Sequence, residues 1–255
     1  METPRTVNII GSDGKPAGEI SLPSAFDAPL RPDVISKAVI IEQSHRFQPQ
    51  GRNPMAGKRT TAEGFGVGRG ISRVPRIGGH GPLSGQAAFA PGTRGGRSAF
   101  PPLSSANPYL RINRKERRLA LRSALAATAS KDLVKKRGHR FEDRLELPLV
   151  VTDDIEKVTK ASEAKKVLVT LGLWEDIAKV ARSRESRRGH TKHAVGPLVV
   201  VGGLQGAQRA FRNFEGVDVV RVQDLSVEDL APGTHPGRLT VWSESAIKML
   251  KGKVW

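Results

Sequence analysis

Gly196-Pro197-Leu198-Val199-Val200-Val201-Gly202-Gly203 decides the fold. Four consecutive aliphatic residues, three of them β-branched, leave no face for water, as expected of a strand covered on both sides. The pattern repeats outward in both directions. Downstream come a helix over Gln205–Asn213, a strand at Val217–Arg221, a helical turn at Val227–Leu230, a strand at Leu239–Trp242 and a helix from Glu244 to Leu250. Upstream, Leu147–Val151 is another all-apolar strand, and Asp153–Leu173 is helical with a break near Ser162. Alternation at this spacing implies right-handed crossovers. It predicts an α/β fold with a mainly parallel sheet flanked by helices, Rossmann-like and three-layered.

The N-terminal part adds to that layer. Thr6–Ile10 and Gly18–Leu22 flank Ser12-Asp13-Gly14 and read as a hairpin. Pro32 opens a helix whose apolar stripe, Val34, Ile35, Ala38, Val39 and Ile41, carries it to about Arg46. Asn113 with Glu116 three residues on forms a capping-box pattern for an Ala/Leu-rich helix reaching about Ala129, and Gly138 closes a second helix, Lys131–Arg137.

Between these patterned parts the chain changes character. Residues 44–110 hold 13 Gly, 8 Pro and 9 Lys/Arg against one acid, Glu63. The apolar residues there follow neither helical nor strand period, so the segment reads as a structureless loop without a core. The division expected is one discontinuous α/β domain, residues 1–46 and 105–255, with an extended Gly/Pro/Arg-rich loop over 47–104. A loop this long inside a domain is functional or disordered. Fully extended, an out-and-back loop of this size reaches at most about 100 Å, which serves only a very large partner.

Charge names the partner's chemistry. The net charge is +17, with the excess in the loop and in part of the C-terminal half. Such a field attracts phosphate backbones. No apolar stretch is long enough to span a membrane and no basic amphipathic helix stands out, so no membrane partner is expected. No homo-oligomer is expected either. With no cysteine, disulfides, thiolate metal sites and thiol nucleophiles are excluded. The N-terminus lacks a signal-peptide core, which predicts a cytoplasmic protein.

Other chemistries were weighed on their motifs. Gly66, Gly68 and Gly70 alternate at the wrong spacing for a dinucleotide fingerprint. The Gly202–Gly206 turn is better placed, after a strand and before a helix, and supports the alternative of a cytosolic nucleotide-binding domain or enzyme. Yet its spacing is incomplete, and no acid ends the next strand. His190 and His193 sit among cations that oppose a divalent metal. No G-x-S-x-G elbow occurs, and Asp153-Asp154 at a strand end reads as helix capping. No cofactor and no catalysis are expected.

The basic clusters are the stronger signal. Arg111, Arg114, Lys115, Arg118 and Arg122 recur at three- and four-residue spacing along one helix face. A second cluster holds Lys179, Arg182, Arg184, Arg187, Arg188 and Lys192, in a connection ahead of the Gly196 strand, of which Arg184, Arg187, Arg188 and Lys192 are the candidate RNA contacts. The loop contributes Arg46, Arg52, Lys58, Arg59, Arg69, Arg73, Arg76, Arg94 and Arg97. Aromatic residues are only 5% of the chain, which argues against a base-stacking platform. Backbone recognition of a folded RNA by these cations is the expectation; a DNA-compacting protein is a weaker one.

Finally, Phe65-Gly66-Val67-Gly68-Arg69-Gly70, Val74-Pro75-Arg76, Ser84-Gly85-Gln86-Ala87-Ala88-Phe89 and Gly95-Gly96-Arg97-Ser98-Ala99-Phe100 stand in one order with Arg137-Gly138-His139, Ala210-Phe211-Arg212-Asn213 and Trp242-Ser243-Glu244-Ser245-Ala246. In that order the chain resembles the L-four family of large-subunit ribosomal proteins, in its archaeal form. The resemblance implies a non-enzymatic structural constituent of the large (50S) subunit that binds 23S-type rRNA early in assembly. It implies a loop tip at Gly66, Gly68, Arg69, Arg73 and Arg76 in the polypeptide exit tunnel, beside the L-twenty-two protein and, transiently, the nascent chain. The second basic loop departs from the family pattern, with one glycine, Gly189, and an acid, Glu185.

Overall fold

Residues 5–142, 144–187, 189–204 and 206–252 are described by a computed structural model. Cα positions separate into two units, Met1–Ser44 with Leu110–Trp255, and His45–Tyr109. In chain order the elements are β1 (Thr6–Ile10), β2 (Pro16–Ser21), α1 (Pro32–Ser44), β3 (Ala62–Glu63), β4 (Arg76–Ile77), α2 (Arg114–Thr128), α3 (Lys131–Arg137) and β5 (Leu149–Val151). Then come α4 (Asp154–Lys157), α5 (Ala161–Thr170), α6 (Trp174–Arg182), β6 (Glu185–Arg187), β7 (His190–Lys192), β8 (Leu198–Val201), α7 (Ala207–Phe211), β9 (Asp218–Arg221), α8 (Val227–Leu230), β10 (Thr240–Ser243) and α9 (Glu244–Gly252).

Six strands form one sheet in the order β2-β1-β5-β10-β8-β9, parallel except for the β1–β2 hairpin. The chain is α/β, with helices packed on both sheet faces. Period-2 alternation divides the strand residues between them. Val7, Ile9, Val150, Val200 and Trp242 meet Ile35, Leu125, Leu230 and Ile247 on one side. Leu149, Val151, Val199 and Val241 meet Leu168, Ile177 and Phe211 on the other. β10 is the last strand in sequence yet pairs with both β5 and β8, so the middle of the sheet closes only with the C-terminal segment.

Arg238 fastens that insertion. Its guanidinium is buried and donates to the carbonyls of Gly196, Asp229 and Gly216 and to Asp218 Oδ2. Burial lowers its pKa, and the Asp218 carboxylate opposes that shift.

Several sequence expectations are corrected. Asn113 occupies the N-cap of α2 but makes no side-chain cap bond. Glu116 instead accepts from Lys37 Nζ of α1 at 2.9 Å, a tertiary contact that holds its carboxyl below the usual range. The helix break falls at residues 158–160. Beyond Leu173, where a connection was expected, α6 begins, and Trp174 packs edge-on against Phe214 with ring centroids 5.8 Å apart. Asp153 makes no cap bond to α4; its carboxylate accepts from Ser245 N–H at the start of α9. The second basic connection is an antiparallel ribbon, β6 with β7.

Candidate nucleic-acid interface

The 45–109 unit is not structureless, as its composition suggested. Its outgoing and returning legs lie side by side. The His45 and Tyr109 rings stack at 5.4 Å with 7° between planes. Further in, a Cβ on Gly51 would lie 3.0 Å from the backbone of Ser104, and one on Gly57 would lie 2.5 Å from Gly96 O. Only glycine permits the second approach. Beyond it, β3 pairs with β4, and Arg76 bridges Ala87. The chain between residues 63 and 76 forms one turn, and residues 78–85 form another, closed by Gly85 N–H to Ile77 O. Gly66, Gly68 and Gly70 all have positive φ with open space around them, so backbone curvature requires them and packing does not.

The cations divide into two kinds. Lys58, Arg59, Arg69, Arg73 and Arg94 are exposed and reach no carboxylate among the described residues; Arg46 is exposed as well. Three others are half-buried and brace the unit. Arg52 donates to Ala56 O at 3.1 Å, Arg76 donates to Gly85 O at 2.9 Å, and Arg97 lies 5.8 Å from the Phe89 ring centroid. Spacing could not separate these classes, because bracing depends on which carbonyl the fold brings near.

Apolar exposure is the feature that charge reasoning missed. Ala88 is the one buried hydrophobic among residues 45–109, whereas Phe47, Phe65, Val67, Leu83 and Phe100 stand exposed, Phe100 at 94%. Nine of the fourteen exposed large hydrophobics lie in this unit. A patch so apolar and cationic marks a surface that a partner covers. The sequence signal was available: large apolar residues without a period have no core to enter.

In the other unit, α2 buries Ala120, Ser123, Ala124, Leu125 and Ala127 and turns its cations away. Arg111, Arg114, Lys115 and Arg118 are exposed and make no ion pair among the described residues. Arg122 is half-buried, and Arg117 pairs with Glu42 at 3.7 Å. Just ahead of the β6–β7 ribbon, Arg184 faces Glu215 at 3.5 Å. Arg188 lies outside the described residues, as do the side chains of Arg187, His190 and Lys192.

The Gly202–Gly206 turn does sit at the carboxyl end of a parallel strand, where α/β folds bind phosphates. The Gly202 and Gly203 amides are already taken. Glu156, on α4, accepts from Gly202 N–H at 2.8 Å, Gly203 N–H at 3.3 Å and Ser245 Oγ–H at 2.5 Å. Burial raises the pKa of this carboxyl, but the Ser245 and Ser243 hydroxyls and the two amides outweigh burial and leave it lowered. An internal carboxylate fills the anion site, and a phosphate would meet its charge. Gln205 lies outside the described residues. Among the described residues no cluster of three or more His, Asp or Glu could hold a metal, and no helix is long and apolar enough to cross a membrane.

With the geometry in place, comparison with known proteins decides the family. The profile of the ribosomal protein L4/L1 family matches residues 20–253. The chain belongs to the ribosomal protein L4/L1 family. The large ribosomal subunit protein uL4 of Methanosphaera stadtmanae is 46% identical over 251 residues, covering 96% of this chain and 95% of that one. The protein of the same name from Saccharolobus islandicus strain L.S.2.15 is 44% identical over 250 residues, covering 95% and 92%. Both relatives are archaeal. Membership makes the chain a ribosomal protein and not an enzyme. The L4/L1 family match runs across both units.

Proposed function

We propose that the chain is a structural constituent of the large ribosomal subunit that binds 23S-type rRNA at several places and acts in early subunit assembly. The Rossmann-like domain is the mount, and residues 47–104 form an extended loop within the RNA. One observation carries the reading: the 45–109 unit has a single buried hydrophobic, five exposed unpaired cations and nine exposed large apolar residues. A folded RNA supplies both complements, phosphates for arginine and lysine and base faces for the apolar groups. The α2 cations add a second contact, and Arg184 with Arg187, Arg188 and Lys192 a third.

Within this reading the tip residues Gly66, Gly68, Arg69, Arg73 and Arg76 form part of the exit-tunnel wall. There they lie beside the L-twenty-two protein and the passing nascent chain. Arg69 and Arg73 are the tip's free cations, and Arg76 holds its turn. The protein works in the cytoplasm, within the 50S particle. The test is sedimentation of the tagged chain with ribosomal subunits, followed by photo-crosslinking from positions 69 and 115. Recovery with large subunits and rRNA crosslinks from both positions are expected. A wholly ribosome-free chain overturns the proposal.

A further inference from the structure

The α/β unit carries a cavity that no part of the account above uses. Its volume is about 560 Å³, and it opens between α3, α6 and the segment before β10. Small-ligand sites span about 300–1,000 Å³, so the size fits a single ligand. Leu30, Pro32, Leu133 and Pro236 line it with flat apolar surface, and Lys136, Arg137 and Lys179 line it with cations.

The cations carry uncompensated charge. Arg137 donates to the carbonyls of Pro232 and His235, and Lys179 donates to Gly138 O. None of the three pairs with a carboxylate among the described residues. The one acid of the lining, Asp176, is committed elsewhere: Oδ1 accepts from Arg140 N–H at 2.9 Å and Oδ2 faces His139 Nδ1 at 2.7 Å.

His139 is the second, independent observation. Its side chain is 3% exposed and that of Asp176 is 2% exposed. An ionised carboxylate only accepts, so Asp176 takes the Nδ1 hydrogen, and in the neutral imidazole Nε2 is then an acceptor. Nε2 is buried and has no hydrogen-bond partner among the described residues. Buried polar atoms rarely stay unsatisfied, and each one calls for an explanation. His139 is one of the residues lining the cavity, which places the unpartnered nitrogen beside the space an occupant would fill.

We propose that this cavity receives one unstacked nucleotide of the bound RNA. The base lies between the proline and leucine faces and its phosphate meets Lys136 and Lys179. A base N–H or the 2′-hydroxyl donates to His139 Nε2. This rests on the rRNA-binding reading above. A free mononucleotide presents the same chemistry, and an acidic peptide is the competing occupant; the experiment separates both.

The full chain is titrated with a large-subunit rRNA transcript at several salt concentrations, alongside Leu133→Trp, which fills the cavity without changing charge. Lys136→Gln alters only an exposed side chain and serves if the first variant does not fold. Leu133→Trp weakens transcript binding about tenfold with an unchanged salt slope, because lost stacking releases no counterions. Lys136→Gln weakens it about threefold and lowers the slope by about one. AMP shifts the His139 ring resonances in the wild-type chain and not in Leu133→Trp. If the wild-type chain fails to bind the transcript, the rRNA reading itself falls. If it binds and both folded variants bind as tightly, only the cavity assignment falls. Resonance shifts with AMP but unaltered transcript affinity in the variants make the occupant a free nucleotide and overturn the RNA assignment. Shifts with a poly-glutamate peptide and none with AMP overturn it also.

Discussion

The α/β unit and the 45–109 unit solve opposite problems. In the first, each strand sends alternate side chains into two apolar layers, and polar groups that enter, such as Arg238 and Glu156, find several partners each. In the second, backbone-to-backbone approach replaces side-chain packing, and the large apolar residues face outward. The first unit buries its apolar side chains within itself, and the second leaves its large ones exposed. In the proposed reading a folded RNA covers them. The difference teaches that glycine content here marks backbone contact and curvature, and that Glu156 already occupies the Gly202 and Gly203 amides a phosphate would need.

Four perturbations break or sharpen that comparison, in descending size. Arg238→Ala leaves the carbonyls of Gly196 and Asp229 without their side-chain donor in a buried setting, while Gly216 O keeps the Gly196 N–H. The substitution lowers unfolding free energy by about 3–5 kcal/mol in urea titration, the range for breaking a buried charged contact. Replacing residues 47–104 by a short Gly/Ser linker lowers rRNA affinity about a hundredfold, as expected from losing several phosphate contacts, and leaves cooperative unfolding intact. Loss of that cooperativity would mean the sheet depends on the loop. Glu156→Gln costs about 1–3 kcal/mol at neutral pH by weakening charge-assisted bonds to two amides and a hydroxyl. The folded carboxyl titrates below its unfolded value, so this stabilisation is full above the ordinary glutamate pKa and fades as pH falls through the lowered one. The variant therefore shows a flatter acid limb in a stability-versus-pH profile. Phe100→Ala, at a side chain with no core to leave, changes stability by less than about 0.5 kcal/mol and still weakens rRNA binding.

Legibility in the sequence followed the range of the interactions. The all-aliphatic runs at Leu149–Val151 and Leu198–Val201 announce a doubly covered sheet, because burial on both faces removes every polar position. The α2 cations were legible through their spacing. The sheet order was not, since nothing local says that β10 will sit between β5 and β8. Glu116 satisfied a local capping pattern yet was claimed by Lys37, 79 residues away. The His139–Asp176 pair is hidden for a related reason: Asp176 lies on α6, in a stretch whose sequence reads as a connection. In the loop, the sign of the charge was plain, but the split between free Arg69 and bracing Arg76 depends on carbonyls positioned by the fold.

The division between a self-sufficient sheet and a partner-completed loop is tested most directly by backbone amide hydrogen exchange, read residue by residue in the free chain and in its complex with large-subunit rRNA. The account predicts strong protection of β5, β8 and β10 in both states, and fast exchange across residues 45–109 that slows on RNA binding. Exchange in residues 45–109 that is the same with and without rRNA would contradict it.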